Sequence, residues 1–388
     1  MLASALMLLM TASAQAPDRQ ETIVVVGRKA EEELAECLAR HCPPAEEIEA
    51  SLQASVEQFA DARYADARQT LQRAIRRNRH HAAQLPGPVS SLHATLATVA
   101  EHEGDRDLWL RAERDSVLVL RRHAGLNNPA TLMQELTQAD TMVQQGLSVA
   151  ADEAYASVHR RAQAEGLRDL AAAATFRRAY LAYALERYDR ARRLADEAVA
   201  AAGERAADIE EMRGLLHERI AFRRGADIAQ ADVAARMRRS PTDRPVLLFA
   251  DRKLVQSRVG DSDLDRGANR LLDDGSIRFA DVGFWIMPNG QVGEVEVLRQ
   301  YGLGQLRSTI LDHVATRQYA ALDLPADHPG IYRIERFTMR GEQETPTGSR
   351  IAMRAGTPRL RIVDLTETEA MSDVHRQRSR QQSAALPN

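Results

Sequence analysis

A recurring spacing of small residues in the first half of the chain is the feature that most restricts its fold. Two stretches place a tyrosine, an alanine, a further apolar residue and a second alanine at relative positions 0, 3, 7 and 10. The two sets are Tyr64, Ala67, Leu71 and Ala74, and Tyr188, Ala191, Ala195 and Ala198. This spacing puts each set on one face of an α-helix, where a small anchor residue lets the helix pack closely against another.

Weaker copies of the same pattern lie between these two stretches. They are Ala112, Ser116 and Val119, and Ala151, Tyr155 and Val158. The anchor alanines at 67, 112, 151 and 191 lie 45, 39 and 40 positions apart. Over residues 48–224 the pattern resembles the tetratricopeptide repeat, a stack of helix pairs. The tryptophan and first-helix glycine of that repeat are mostly missing, so an irregular all-helical bundle is the alternative.

A change in the sequence pattern near residue 240 predicts a second domain. The stretch "SPTDRPVLLFADRK" combines two prolines with an apolar run. Farther on, Val282, Phe284 and Ile286 alternate with the other face of a strand, and "NG" at 289–290 favours a tight turn. Val295 and Val297 alternate on the returning strand. These residues together predict a β-hairpin.

The hairpin is followed by a predicted helix and a predicted third strand. Leu306, Ile310 and Val314 form a helical stripe. The stretch "GIYRIERFTMR" at 330–340 is typical of a strand, and its charged residues are those that an edge strand carries. Those charged residues are Arg333, Glu335 and Arg336. Two more short strands are predicted at 350–354 and 359–364, without an assigned partner.

Residues of about 275–340 resemble the TonB C-terminal domain. The resemblance rests on the hairpin pattern, a glycine turn ahead of the helix and a phenylalanine at the end of the last strand. The matching residues are Phe284, Ile286, Gly290, Val292, "VEVL" at 295–298, Gly302 and Phe337. The family's Tyr-Pro and a glycine ahead of the first strand are absent. The resemblance implies a small α+β domain, which makes the whole chain an α+β multidomain protein.

The N-terminus predicts export. "MLASALMLLMTASAQAPD" has an apolar core followed by small residues, as a secretory signal peptide does, with cleavage expected after Ala14. The apolar run is shorter than the roughly 20 residues that a membrane-spanning helix needs. No Lys or Arg precedes the core, so a start farther upstream is the alternative.

Cys37 and Cys42 are the only cysteines. Residues five apart within one helix point away from each other, but Cys42 precedes a proline, which disfavours helical backbone at that position. A helix that ends near Arg40 would bring the two sulfurs together. We therefore predict a disulfide, and a metal site is disfavoured because only His41 lies beside them.

The segment "ETIVVVG" at 21–27 is interpreted together with the TonB-like region at 275–340. TonB-dependent transporters carry a short TonB box, an acidic residue followed by threonine and β-branched residues. The segment resembles one, with its six candidate residues being Glu21, Thr22, Ile23, Val24, Val25 and Val26. A box binds by adding a strand to a sheet edge. The expected edge comprises Ile331, Tyr332, Arg333, Ile334, Glu335, Arg336 and Phe337. The alternative is a β-rich run that only packs on the helical domain.

Catalytic, metal and cofactor motifs do not stand out. The net charge of −3 gives the whole chain no reason to seek nucleic acid. Asp261, Asp263 and Asp265 alternate as calcium ligands do, but an EF-hand glycine and glutamate are missing, since Arg266 and Leu272 stand there. We expect no enzyme activity, no cofactor and no small-molecule substrate.

These observations predict a periplasmic, non-enzymatic adaptor of a TonB-dependent outer-membrane transport system that binds protein partners. The predicted parts are a signal peptide at 1–14, an N-terminal segment at 15–44, helical repeats at 45–240, a TonB-like domain at 241–366 and a disordered tail at 367–388. The alternatives are a membrane-anchored energy transducer and, less favoured, an enzyme. The resemblance does not name the partner.

Overall fold

A computed structural model of the chain describes residues 29–224, 245, 247–250, 277–319, 321–325, 327–351, 353–354 and 359–366. A helical region comes first, and a small antiparallel sheet follows it. Several predicted features lie outside the described residues. They are the signal peptide, the segment 21–27, the boundary near residue 240, the aspartate loop at 261–265 and the tail from residue 367.

Ten helices form the N-terminal region of the described chain. They are α1 (Lys29–Ala39), α2 (Pro44–Ala60), α3 (Tyr64–Asn78), α4 (Pro86–Glu103), α5 (Arg106–His123), α6 (Pro129–Gln144), α7 (Ser148–Ala164), α8 (Arg168–Ala184), α9 (Tyr188–Ala201) and α10 (Ala206–Arg223). A short 3₁₀ helix, Arg79–His81, follows α3. From α2 to α9 the helices form four successive pairs, each joined by a turn of a few residues.

The turns inside these pairs share one backbone geometry. The first or second residue after each first helix has a positive φ, and the next amide donates back to a carbonyl five residues earlier, as in a Schellman motif. Gly104 and Gly146 take this position in two pairs. Ala62 and Glu186 take it in the other two, with φ of 60° and 59°. A left-handed residue is therefore placed at all four turns, although only two of them carry a glycine.

The predicted register of the small anchor residues is confirmed. The four anchors lie on α3, α5, α7 and α9, which are the second helices of the four pairs. They are Ala67, Ala112, Ala151 and Ala191, and each is at most 2% exposed. A side chain larger than alanine would have no room there, so the spacing in the sequence reflects close contact between helices.

The second region contains eight short strands and one further helix among the described residues. The strands are β1 (Leu247–Phe249), β2 (Arg278–Ile286), β3 (Val292–Tyr301), β4 (Gln318–Tyr319), β5 (Ile331–Arg340), β6 (Gln343–Glu344), β7 (Met353–Arg354) and β8 (Arg359–Asp364). The helix is α11 (Arg307–Ala315). The main sheet has the order β3-β2-β5-β8 and is antiparallel throughout. β1 pairs with β4, and β6 pairs with β7.

The predicted hairpin and helical stripe are confirmed. β2 and β3 pair through Val282 and Val297, with a turn at Asn289–Gly290. Ile310 and Val314 are fully buried on α11, and they belong to one apolar core with Phe284 on β2. The apolar face that the alternation in β2 predicts is thus the face of the sheet on which α11 packs.

The prediction that 331–337 forms a sheet edge is wrong for Glu335, Arg336 and Phe337. β5 lies between β2 and β8, and β8 pairs with it from Glu335 to Arg340. The charges that suggested an edge are satisfied inside the protein. Arg333 pairs with Asp364, Glu335 pairs with Arg317, and Arg336 is completely buried.

The cysteine pair closes the end of α1. The helix ends at Ala39, His41 has a φ of 53°, and the amide of Cys42 donates to the carbonyl of Cys37 at 3.0 Å. The Cα atoms of Cys37 and Cys42 are 5.1 Å apart, and the two residues are joined as a disulfide. The bond thus links the two positions that an apolar contact commonly joins at such a helix end.

Candidate functional site

The buried side chain of Arg336 connects the sheet to the helical region. It lies on β5, and its guanidinium donates to the carbonyl oxygens of Phe59 and Ala60, at the C-terminal end of α2. It also donates to the hydroxyl of Tyr64, at the start of α3, over 3.2 Å. A cation at the carboxyl end of a helix is stabilised by the helix dipole. Arg336 therefore caps α2 from another part of the fold.

A second strand supplies the counter-charge. Asp281 on β2 accepts from Arg336 at 2.6 and 2.8 Å and from Arg299 on β3 at 2.8 Å. The guanidinium of Arg336 also lies 4.6 Å from the ring centroid of Phe279. Three strands and the end of one helix thus share one group of charges around the buried Asp281.

His102 marks a further contact between α4 and the sheet. Its Nδ1 lies 2.9 Å from the hydroxyl oxygen of Thr338 on β5, and its ring meets the Phe59 ring edge-on. Burial, together with the nearby cations Arg361 and Arg336, lowers the pKa of His102 to about 3. The imidazole is therefore neutral at ordinary pH.

Backbone contacts extend this junction along the α4–α5 turn. The amide of Gln343 donates to the carbonyl of Gly104 at 2.8 Å, and the amide of Thr345 donates to the carboxylate of Asp107 at 2.9 Å. A Cβ atom on Gly104 would lie 2.7 Å from the carbonyl oxygen of Gly341. Gly104 is thus required both by its φ of 74° and by this close approach.

A cleft of about 440 Å³ opens beside this junction. Its walls are the first helices α2, α4 and α6, one residue of α5, and strand β8. Val56, Phe59 and Val99 give it apolar surface. Its polar lining consists largely of hydroxyls and of the carboxylates Glu101, Glu113, Asp140 and Asp364. Among the described residues that line it, none is Lys or Arg.

Arginines outside the lining hold three of these carboxylates. Arg361 lies 2.6 Å from Glu101, Arg177 lies 3.1 Å from Asp140, and Arg333 pairs with Asp364. These three acidic side chains are therefore paired with arginines, and much of the remaining polar lining consists of hydroxyls.

The backbone edge of β8 faces this cleft. The amide of Leu365 donates to the carbonyl of Ile334, and antiparallel partners alternate between bonded and non-bonded pairs. The amides of Arg361 and Val363 therefore face β5, and those of Leu360, Ile362 and Asp364 face away from it. Ile362 and Asp364 line the cleft. Among the described strands, none pairs with this outer edge.

The structure separates the residues that the sequence joined into one binding edge. Glu335, Arg336 and Phe337 pair with β8, and the start of β5, residues 331–334, lies outside the residues that pair with it. Glu21–Val26 lie outside the described residues. Sequence reasoning predicted the strand at 359–364 but not its place beside β5. The alternating apolar residues of 359–364 predict a strand. They do not predict that β5 is its partner, because the pairing of two strands is not encoded in the local pattern of either one.

Metal and membrane features are not found among the described residues. No group of three or more His, Cys, Asp or Glu side chains is placed there to hold a metal ion. None of the described helices combines the length and the apolar character that crossing a bilayer requires.

No protein-family model and no curated protein matches the sequence. Solved structures that match part of the chain include the following two. BtubC (BKLC) from P. vanneervenii is 16% identical, with a TM-score of 0.42 over 51% of this chain and 82% of its own. A Rap protein complexed with competence and sporulation factor is 12% identical, with a TM-score of 0.36 over 54% of this chain and 58% of its own. At these TM-scores neither likeness assigns a function to this chain.

Proposed function

We propose that this protein is a periplasmic adaptor of a TonB-dependent transport system and binds extended segments of its partners in the cleft beside β8. The observation that carries this proposal is the outer edge of β8, which opens into a cleft walled by α2, α4 and α6. A strand edge offers main-chain hydrogen bonds to any extended peptide, and the walls then select among side chains.

The TonB assignment rests on the resemblance of residues 275–340 and on the box-like segment at 21–26. The hairpin, the helix α11 and strand β5 follow each other in the order that this resemblance implies. The edge proposed for binding differs from the one that the resemblance implies, because β8 covers most of β5. The tetratricopeptide-like interpretation of the helix pairs is likewise a proposal.

Affinity capture from envelope extracts tests this function. The exported protein is used as bait beside Ile362→Pro, which removes an outward amide of β8 and leaves the bonds to β5 in place. We expect the wild-type bait to retain a TonB-dependent receptor or a TonB transducer and the variant to lose it. Recovery of the same proteins by both baits would contradict binding at β8, and recovery of neither class would contradict the function.

A membrane-anchored transducer remains the alternative. It predicts that the native protein sediments with inner membranes after cell lysis and is not released with the periplasmic fraction. Fractionation of cells that express the native gene distinguishes the two proposals.

A further inference from the structure

Strand β8 is the better of the two outer edges of the main sheet for adding a strand. The pairing of β3 with β2 is broken by register shifts near Asp281 and between Gly283 and Trp285. Bulges of this kind protect an edge strand against further pairing. β8 pairs with β5 over six residues without a shift. Its outer edge is therefore regular and lies in the cleft.

The chain itself carries a segment whose chemistry fits this edge. Residues 21–27 contain five consecutive β-branched residues, and Arg19 and Arg28 flank the segment. Ile362 on β8 is 38% exposed, and β-branched pairs across strands are favourable. Arg19 and Arg28 carry the charge opposite to that of the carboxylates that line the cleft. A strand from 22–26 would satisfy the outward amides of Leu360, Ile362 and Asp364.

The described start of the chain points away from its own cleft. The amide of Ala30 donates to the carboxylate of Glu57 at 2.8 Å, and Glu31 pairs with Arg63. Ser55 and Phe59 line the cleft, and Glu57 lies two positions from each. Helical residues two apart face different directions, so Glu57 and the start of α1 lie on the other side of α2. Only residue 28 separates the segment from α1.

From this geometry we infer that residues 21–27 of one copy add as a strand to β8 in the cleft of a second copy. The contact is heterologous, because the segment and the cleft are different surfaces of the same chain. It deepens the proposed function, since a partner segment would then compete with the protein's own segment for the same edge. Association is weak, because a short strand contributes few main-chain bonds.

Sedimentation velocity of the full chain, over about a hundredfold range of concentration, tests the contact. We expect concentration-dependent association. Val24→Pro removes an amide in the middle of the segment, and Ile362→Pro removes one from the edge, so each variant should associate at least about tenfold more weakly. Arg19→Pro, outside the segment, and Val24→Ala are the matched controls. We expect Arg19→Pro to associate like the wild type and Val24→Ala to lose much less than Val24→Pro.

A mixture of the two proline variants gives the most specific readout. Val24→Pro has an intact edge and Ile362→Pro has an intact segment, so an equimolar mixture should form dimers and nothing larger. If Ile362→Pro loses its native circular dichroism spectrum, Ile362→Lys serves instead, since an edge lysine opposes strand addition. A chain that ends at Thr366 should associate like the wild type.

A wild-type protein that stays monomeric throughout, or a mixture that stays monomeric, would overturn the inference. Association that survives Val24→Pro would do the same, as would association that depends on residues 367–388. These outcomes leave the proposed function standing wherever the wild-type bait still captures its envelope partners. Conversely, association without envelope partners would support the inference and overturn the function.

Discussion

The guanidinium of Arg336 donates to both carboxylate oxygens of Asp281, at 2.6 and 2.8 Å, and neither side chain is more than 5% exposed. The remaining donors of Arg336 reach the end of α2 and the hydroxyl of Tyr64. Desolvation alone would lower the pKa of Arg336, but Asp281 and Tyr64 raise it above its ordinary value. A charged pair between two strands thus also joins the sheet to the helices.

Arg336→Met should therefore be strongly destabilising. Removing one partner of a buried ion pair typically costs about 3–5 kcal/mol, and here two helix carbonyls would also lose their donor. Arg299→Met is the matched control, because Arg299 binds the same carboxylate but is 43% exposed, so about 1 kcal/mol or less is expected. Urea unfolding measures both. Equal, small losses would show that the buried pair does not hold the junction together.

The neutral His102 should make the protein sensitive to mild acid. Its pKa is about 3 in the folded state, against an ordinary value of 6.5, so the unfolded state binds the extra proton between these pH values. Stability is then fully present above about pH 6.5 and falls as the pH decreases toward 3, by up to about 1.4 kcal/mol per pH unit. His102→Gln, which cannot titrate, should flatten the dependence of the unfolding free energy on pH over this window. An unchanged slope would contradict the assignment.

Much of the fold follows from local patterns in the sequence. The spacing of Ala67 and Ala191, the alternation around Phe284 and the stripe at Ile310 each depend on a single period, and each predicted element is present. The position of β5 does not follow from such patterns. Arg336 is typical of an exposed edge when viewed alone, and its burial depends on Asp281 and on α2, which lie far from it in the sequence.

The candidate site was harder to predict for the same reason. A cleft between α2, α6 and β8 brings together residues more than two hundred positions apart, and no local pattern encodes that contact. The sequence did predict the strand at 359–364. A strand must pair with a neighbouring strand, and its other edge can stay unpaired. Its neighbour is set by the packing of the whole second region against the helices.

Two helix turns should gain stability from glycine. Glu186 and Ala62 have φ of 59° and 60° at the ends of α8 and α2. A left-handed conformation costs a residue with a side chain about 1–2 kcal/mol, whereas glycine adopts it freely. Glu186→Gly should therefore raise the free energy of unfolding by about 0.5–1 kcal/mol after the greater entropy of the unfolded chain is counted. Gly146→Ala, at the equivalent turn, should lower it by a similar amount. Urea unfolding of the wild type and of the two variants measures these changes in the free energy of unfolding. A loss of stability in Glu186→Gly would contradict the left-handed geometry at this turn.

The cysteines provide a test of export as well as of the helix end. If Cys37 and Cys42 are oxidised in the exported protein, the denatured, unreduced protein should contain no thiol that reacts with a chromogenic disulfide reagent. Closing so short a loop contributes about 2 kcal/mol, so Cys37→Ser should lower the melting temperature modestly and reduction should have little further effect on that variant. Two freely reacting thiols before reduction would contradict the bond.

The anchor alanines provide the sharpest test of the helix pairs. Ala191 on α9 is completely buried and belongs to an apolar cluster with Ala182 and Leu216 from the neighbouring helices. Ala191→Leu adds three carbon atoms at a completely buried position, so side chains and helices must shift. The expected cost is about 1–3 kcal/mol in the free energy of unfolding. Ala200→Leu is the matched control, because Ala200 is exposed near the end of the same helix and should tolerate leucine with almost no change. Thermal unfolding followed by circular dichroism compares the two variants with the wild type, and an unchanged melting temperature for Ala191→Leu would contradict close packing at this position.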